Sequence, residues 1–135
     1  MDSKFKPIDH PSDVGIIAYG KSREEIFANA AYGMFSLMAD LNTVSPDQAL
    51  NVKVEADDLD ELLVNWLNEL LFIEETKKLL CKEFKVKKLT DKLLEAEVAG
   101  EEIDPARHTL YSALKAATYN QLQIKPDQAI IIFDV

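Results

Sequence analysis

With 135 residues, the chain has the length of one domain that can bury a hydrophobic core without disulfide or metal staples. Hydrophobic residues make up 47% of it and charged residues 29%, and no apolar run approaches the roughly 18 residues that a transmembrane helix needs. The net charge of −9 leaves few lysines and arginines for a phosphate backbone, which argues against direct binding of nucleic acid.

The N-terminal segment and the cysteine content indicate the cellular compartment. The first ten residues, MDSKFKPIDH, are charged and lack the apolar core of a secretion signal. We therefore expect a cytoplasmic protein whose residues 1–135 form a single domain. The single cysteine, Cys81, excludes an internal disulfide, and its place near the end of an apolar stripe favours a packed residue over a reactive thiol.

Three helices are predicted from their start signals. The first begins at Ser22, where Glu25 completes a capping box, and the second begins at Asp58. The third has Asp104 as its N-cap and Pro105 at its first helical position. Each start is followed by an apolar stripe of helical period: Ile26, Phe27, Ala30, Met34, Leu37, Met38 and Leu41; Leu59, Leu62, Leu63, Trp66, Leu67, Leu70 and Ile73; Leu110, Leu114 and Ala117.

Side chains outside those stripes are predicted to face solvent. In the second helix these include Asn65, Asn68 and Glu69. In the third helix Lys115 points well away from the apolar stripe, as an ordinary surface lysine would.

Strands are predicted between the helices. The run VGIIAYG (14–20) is short and apolar, NVKVEA (51–56) alternates, and 84–89 and 93–100 form a hairpin around a Thr-Asp-Lys turn. The apolar run AIIIFDV (129–135) predicts a strand with both faces covered or nearly so. The pattern predicts an α+β fold, with about three helices packed on a mostly antiparallel or mixed sheet.

Catalytic motifs are scarce. The four glycines form no phosphate-binding loop, and no Gly-x-Ser-x-Gly elbow occurs. His10 and His108 lie far apart, and neither belongs to a His-x-x-x-His or Glu-x-x-His pair. No nucleophile, base and orienting group can be assembled from the sequence.

Three carboxyl groups form the most distinctive candidate site. Asp134 and the α-carboxylate of Val135 are adjacent, and Asp13 precedes the strand at 14–20, after a turn at Pro11-Ser12. If the two strands are neighbours, these oxygens would bind a hard cation such as Ca²⁺ or Mg²⁺. The alternatives are that Asp13 bonds its own backbone in a turn and that Asp134 is an exposed strand end. The sequence alone does not require the strands to be adjacent.

Four stretches in order resemble the archease family and cover nearly the whole chain. They are DHPSDVGIIAYGKSREEIFANAAYGMFSLMAD, LLVNWLNELLF, GEEIDPARHTLYSALKAATYN and the final IIFDV. The resemblance implies an acidic, non-catalytic accessory protein of the RtcB-type tRNA-splicing ligase. Such a protein promotes guanylylation of the ligase and its repeated turnover.

The resemblance also implies roles for individual residues. The family's metal-binding positions match Asp13, Asp134 and Val135, with Ca²⁺ as the expected cation and Mg²⁺ or Mn²⁺ as alternatives. Its activity-related positions match Asp13, Lys115 and Asp134. The chain departs from the family pattern at Pro11, where a threonine is usual, and at Asn120, where a histidine is common. The family often carries an acidic residue at position 113 or an isoleucine at position 114, where this chain has alanine and leucine.

Two other functions fit the residues. Tyr32 and Phe35 lie outside the first helix's apolar stripe, so they either mark a protein-binding surface of a chaperone-like module for RNA-modifying enzymes or pack beneath the sheet. A metal-dependent hydrolase using Asp13 and Asp134 is the third hypothesis, because carboxylates around a hard cation can activate water.

Overall fold

The structure, a computed structural model, describes residues 3–9 and 13–135. These residues form the predicted α+β fold, in which helices pack on antiparallel sheets. The elements in chain order are β1 Phe5–Asp9, β2 Val14–Tyr19, α1 Arg23–Met38, a 3₁₀ turn Leu41–Thr43, β3 Gln48–Glu55, α2 Leu59–Lys77, β4 Leu79–Leu89, β5 Leu93–Glu102, β6 Ala116–Ala117, β7 Gln123–Ile124 and β8 Gln128–Asp134.

The larger sheet has the order β1-β2-β8-β6, with β7 paired to the same edge of β8 as β6. All of its pairings are antiparallel. The central place of β8 agrees with its apolar run: Ala129, Ile131 and Phe133 are fully buried on the core side, and Ile132 is nearly so on the other. The expectation that both faces of this strand are covered, or nearly so, is therefore confirmed.

The smaller sheet has the order β3-β5-β4 and contains the predicted hairpin, which is longer than the sequence indicated. Its turn is stabilised by the hydroxyl of Thr90, which accepts hydrogen bonds from the backbone N–H groups of Lys92 and Leu93. Cys81 in β4 is buried, and burial raises the pKa of its thiol to about 12. The prediction of a packed cysteine is confirmed.

The first two helices begin where the capping signals predict. The Ser22 hydroxyl accepts from the Glu25 N–H at 3.1 Å, and the Asp58 carboxylate accepts from the Glu61 N–H at 2.8 Å. Helix α1 is buried over more of its surface than one stripe, because it contacts strands of both sheets. Phe35 is therefore fully buried and stacks on Phe84.

One hydrophobic core joins both helices to both sheets. Trp66 of α2 is fully buried, meets the ring of Phe84 edge-on and donates its indole N–H to the carbonyl of Phe27 in α1 at 3.0 Å. This bond satisfies the one polar group of the indole inside the core. In the described part of the chain, neither helix combines the length and the apolar composition that a membrane crossing requires.

The prediction of a third helix is wrong. Asp104 does cap a turn: its carboxylate accepts from the Ala106 N–H, and its carbonyl accepts from the N–H groups of Arg107 and His108. The turn ends there, because the next backbone groups pair with the end of α1 instead of with each other. The Thr109 carbonyl accepts from Asp40, and the Tyr111 N–H donates to Met38. Residues 109–115 consequently form no helix. A β-bridge joins Leu110 to Ala39, and strand β6 follows these residues.

Candidate functional site

Asp13 and Asp134 lie at the same end of neighbouring strands. In the register of β2 and β8, Val14 is opposite Phe133. Asp13 immediately precedes Val14, and Asp134 immediately follows Phe133, so the two aspartates flank the last pair of this antiparallel ladder at one end of the sheet. The adjacency that the carboxylate hypothesis needed is present in the structure.

Asp134 belongs to the face of the sheet opposite the helices. Alternate residues of β8 that face the core are Ala129, Ile131 and Phe133, and Asp134 has the opposite parity. Asp13 lies immediately before the first residue of β2. Two carboxylates that approach each other closely repel unless a cation or hydrogen-bond donors lie between them. Asp134 is exposed and Asp13 half-buried, which leaves the pair open to solvent.

Lys115 lies on the other edge of β8. Ala116 pairs with Asp134, and the Lys115 N–H donates to the Asp134 carbonyl at 2.9 Å. Its backbone therefore adjoins the aspartate, while its side chain leaves the strand on the helix side. There Lys115 lines an open cavity of about 550 Å³ together with Asn68, Phe72, Glu74, Glu75 and Lys78. Lys115 is exposed and immediately precedes β6, rather than lying on the predicted helix.

Asn68 is a site-supporting residue that the sequence reasoning missed. It was predicted to face water, but its side-chain amide donates to the Ala117 carbonyl at 3.2 Å and accepts from the Ala117 N–H at 2.8 Å. Helix α2 is thereby attached to β6. Its position on the polar side of an amphipathic helix gave no signal of this contact.

The donor set fits a hard cation in its chemistry, since carboxylate and main-chain oxygens are the ligands that Ca²⁺ and Mg²⁺ prefer. Across residues 3–9 and 13–135, no three His, Cys, Asp or Glu side chains form a group that could hold a metal ion. Two carboxylates would thus need oxygens from Val135, water or a partner to complete the coordination. The Pro11-Ser12 turn and His10 lie outside the described residues.

A second polar cluster, around His108, lies immediately before residues 109–117. His108 is only 5% exposed: its Nδ1 accepts from the Asp104 N–H at 2.9 Å, and its Nε2 lies 2.9 Å from Glu101. The pKa of Glu101 is lowered to about 2 by the hydrogen bond from His108, by the backbone N–H of Ser45 and by Arg107. This cluster fixes the turn from which residues 109–117 leave.

Comparisons with known proteins bear on the family and the fold of the chain. The model of the archease protein family matches residues 5–135, which is almost the entire chain.

The chain belongs to the archease family.

Archease relatives match over most of their length. Archease from Methanosarcina barkeri is 37% identical over 90% of this chain and 86% of its own, and archease from Pyrococcus abyssi is 36% identical over 90% and 88%. The solution structure of protein 1598 from Methanobacterium thermoautotrophicum has a TM-score of 0.80 at 34% identity, covering 98% and 99%. The crystal structure of an archease and possible chaperone from Thermotoga maritima shares the fold, with a TM-score of 0.60 at 17% identity.

The archease membership settles the question of class and fold that the four sequence stretches raised. It does not by itself assign roles to Asp13, Lys115, Asp134 or Val135. What the geometry adds is that the first three of these positions, which are separated by most of the sequence, meet around the end of β8.

Proposed function

We propose that this archease-family chain is a non-catalytic activator of an RtcB-type RNA ligase in tRNA splicing or RNA repair. It promotes guanylylation of the ligase and allows multiple turnover. The observation that carries the proposal is the meeting of Asp13, Asp134 and the backbone of Lys115 around one strand end. A cytoplasmic location and the absence of direct nucleic-acid binding accompany it, in keeping with the net charge of −9.

The residues at this end divide into an anionic and a cationic part. A divalent cation is held by Asp13, Asp134 and an oxygen of Val135. Ca²⁺ is the expected cation, and Mg²⁺ and Mn²⁺ are the alternatives. When bound, the cation supplies positive charge for phosphate oxygens of the ligase's nucleotide. Lys115 adds a second positive charge from the other side of β8, and it forms none of the ion pairs among the described residues. Positive groups fixed in advance can stabilise charge that develops during nucleotidyl transfer.

Exposed apolar side chains near this end favour a protein partner. In the part of the chain that the structure describes, the large hydrophobic residues that are strongly exposed all lie on or next to residues 110–119. They are Phe72, Leu110, Tyr111, Tyr119 and Val135. Phe72 lines the same cavity as Lys115, and Val135 follows Asp134. Exposed aromatic residues of this kind are enriched in protein interfaces.

A ligase turnover assay tests the proposal. The ligase is measured alone and with wild-type protein, Asp13→Ala, Lys115→Ala and Asp134→Ala, each added separately. We expect wild-type protein to raise the number of turnovers and each variant to lose most of that stimulation. Asp47→Ala, at an exposed acid away from the site, is the matched control and should stimulate fully. Full stimulation by all three site variants would refute the assignment.

The second candidate function is a chaperone-like module for RNA-modifying enzymes. The exposed apolar group around residues 110–119 favours it, whereas Phe35, its original basis, is fully buried, and Tyr32 packs against Phe5. A pull-down with the intact protein separates the two functions. Recovery of one ligase supports activation, and recovery of many unrelated proteins that depends on Phe72 and Tyr111 supports the chaperone.

A further inference from the structure

Two hydrogen bonds between Asn68 and Ala117 attach helix α2 to β6, next to the end of β8. Along residues 116–118, successive backbone N–H and carbonyl groups point alternately towards β8 and away from it. Ala116 pairs with Asp134, and the Thr118 N–H donates to the Ile132 carbonyl at 3.0 Å. The N–H and carbonyl of Ala117 therefore point away from β8, towards α2. The amide of Asn68 satisfies both of them, at 2.8 and 3.2 Å.

The segment that carries Lys115 has few other attachments. Its two-residue strand β6 is too short to be stable on its own. The N–H groups of Ser112 and Ala113 donate no hydrogen bond within the described structure. Tyr111 is bonded to Met38, and Lys115 to Asp134. Among the described residues, the hydrogen bonds of Asn68 attach this segment to helix α2 two residues beyond Lys115, whereas the Tyr111 bond attaches it to the end of α1.

We propose that Asn68 is a positioning residue for Lys115: its amide acts as a strand partner for Ala117 and holds Lys115 at the end of β8. The inference rests on the proposed activator function and deepens it by naming what orients the lysine. Asparagine suits the role because its side-chain amide offers both an N–H donor and a carbonyl acceptor, as a peptide group does. A buried leucine would leave two backbone groups unpaired, and an aspartate would turn a negative charge towards a carbonyl.

Two variants and one matched control test the proposal. Asn68→Leu removes both hydrogen bonds, and Asn68→Asp keeps the acceptor but loses the donor. Asn65→Leu is the control, because Asn65 lies one turn earlier on α2 and makes a similar bond, from its amide to the Glu55 carbonyl at 3.0 Å. If Asn68→Leu does not fold, Asn68→Asp takes its place in every measurement.

The functional readout is ligase turnover in single and double variants. We expect Asn68→Leu and Lys115→Ala each to lower stimulation roughly 10- to 100-fold, and Asn65→Leu to leave it intact. Adding Asn68→Leu to Lys115→Ala should cause no further loss, because both changes remove the same contribution. A double variant that loses the product of the two single effects would overturn the proposal, since a general structural defect gives that result.

A second readout does not depend on the ligase. Amide exchange and side-chain NMR signals of Lys115 report its position in the protein alone. We expect Asn68→Leu, and not Asn65→Leu, to accelerate exchange at Ala117 and Lys115 and to shift the Lys115 side-chain signals. Unchanged Lys115 signals in Asn68→Leu would overturn the positioning role. If wild-type protein fails to stimulate any ligase while these shifts occur, the activator function fails and the positioning role stands.

Discussion

His108 shows how one residue sets the protonation of its neighbours. Its Nδ1 accepts from the Asp104 N–H, so the ring proton sits on Nε2 and is donated to Glu101. The same carboxylate also accepts from the Ser45 N–H at 2.9 Å and forms an ion pair with Arg107. Every one of these donors favours the ionised form of Glu101, which is why its pKa falls to about 2.

This cluster predicts an acid-dependent loss of stability. Because the pKa of Glu101 is about 2 in the folded chain and near 4.5 without partners, its contribution is fully present above pH 4.5. That contribution declines as pH falls from 4.5 to 2. Glu101→Gln should therefore lower the free energy of unfolding at pH 6, and the difference from wild type should shrink towards pH 2.

Urea unfolding at several pH values measures this difference. Glu97→Gln serves as the control, because Glu97 makes only a half-exposed ion pair with Lys87 at 3.8 Å, which contributes little. A gap between wild type and Glu101→Gln that stays constant from pH 6 to pH 2 would contradict the prediction.

The sequence itself pointed to Asp13, Asp134 and Val135 as one hypothesis among several, whereas Lys115 was singled out only through the family resemblance. Aspartates such as Asp13 and Asp134 are common at turns and strand ends, and the sequence contains many other acids. Asn68 was missed because a polar residue on the polar side of a helix is equally consistent with solvent or with a backbone partner. Local chemistry does not distinguish these cases until the neighbouring element is known.

At the scale of elements, short sequence motifs correctly predicted the helix starts and the turn that short-range hydrogen bonds determine. Capping boxes located the starts of α1 and α2, and the Thr-Asp-Lys turn between two strand-like runs located the hairpin. The third helix failed although Asp104 and Pro105 do start a turn, because pairing of residues 109–111 with the end of α1 replaced the next helical hydrogen bonds. Such pairing joins segments about 70 residues apart, and no local pattern encodes it.

The pairing of β2 with β8 depends on a glycine. Gly15 lies opposite Ile132, and a Cβ at this position would come within 2.9 Å of the Ile131 carbonyl and 2.6 Å of the Ile132 side chain. Gly15→Ala should force the two strands apart and cost about 1–3 kcal/mol of unfolding free energy. Because Asp13 is two residues away, the variant should also weaken the proposed binding of Ca²⁺.

Chemical denaturation and calorimetric titration with Ca²⁺ test the two effects. Ala18→Gly provides a comparison at a buried position of the same strand, on the core face, where no side chain has to be accommodated. We expect it to lower stability but to leave Ca²⁺ affinity nearly unchanged. A Gly15→Ala protein with the stability of the wild type would contradict this prediction.

At the scale of the whole molecule, the position of β8 determines the site. This strand pairs with β2 on one edge and with β6 and β7 on the other, so segments from opposite parts of the sequence meet at its end. The fold class followed from the order of elements, but the order of strands within the sheet did not. Register between strands that are more than a hundred residues apart depends on tertiary packing, so the convergence of Asp13 and Asp134 appeared only in the structure.

Metal removal tests the site in the intact protein. A ligand that binds only the folded state raises the free energy of unfolding by about 2.7 kcal/mol at 100 times its dissociation constant. Wild-type protein should therefore melt several degrees higher in Ca²⁺ than in chelator, and Asp13→Asn and Asp134→Asn should lose this increase. A chain with a net charge of −9 also gains from general screening by divalent cations, so the control is Asp47→Asn, which removes one exposed acid elsewhere. If all three variants lose the increase equally, screening explains it, and if the two site variants keep it, the cation binds elsewhere.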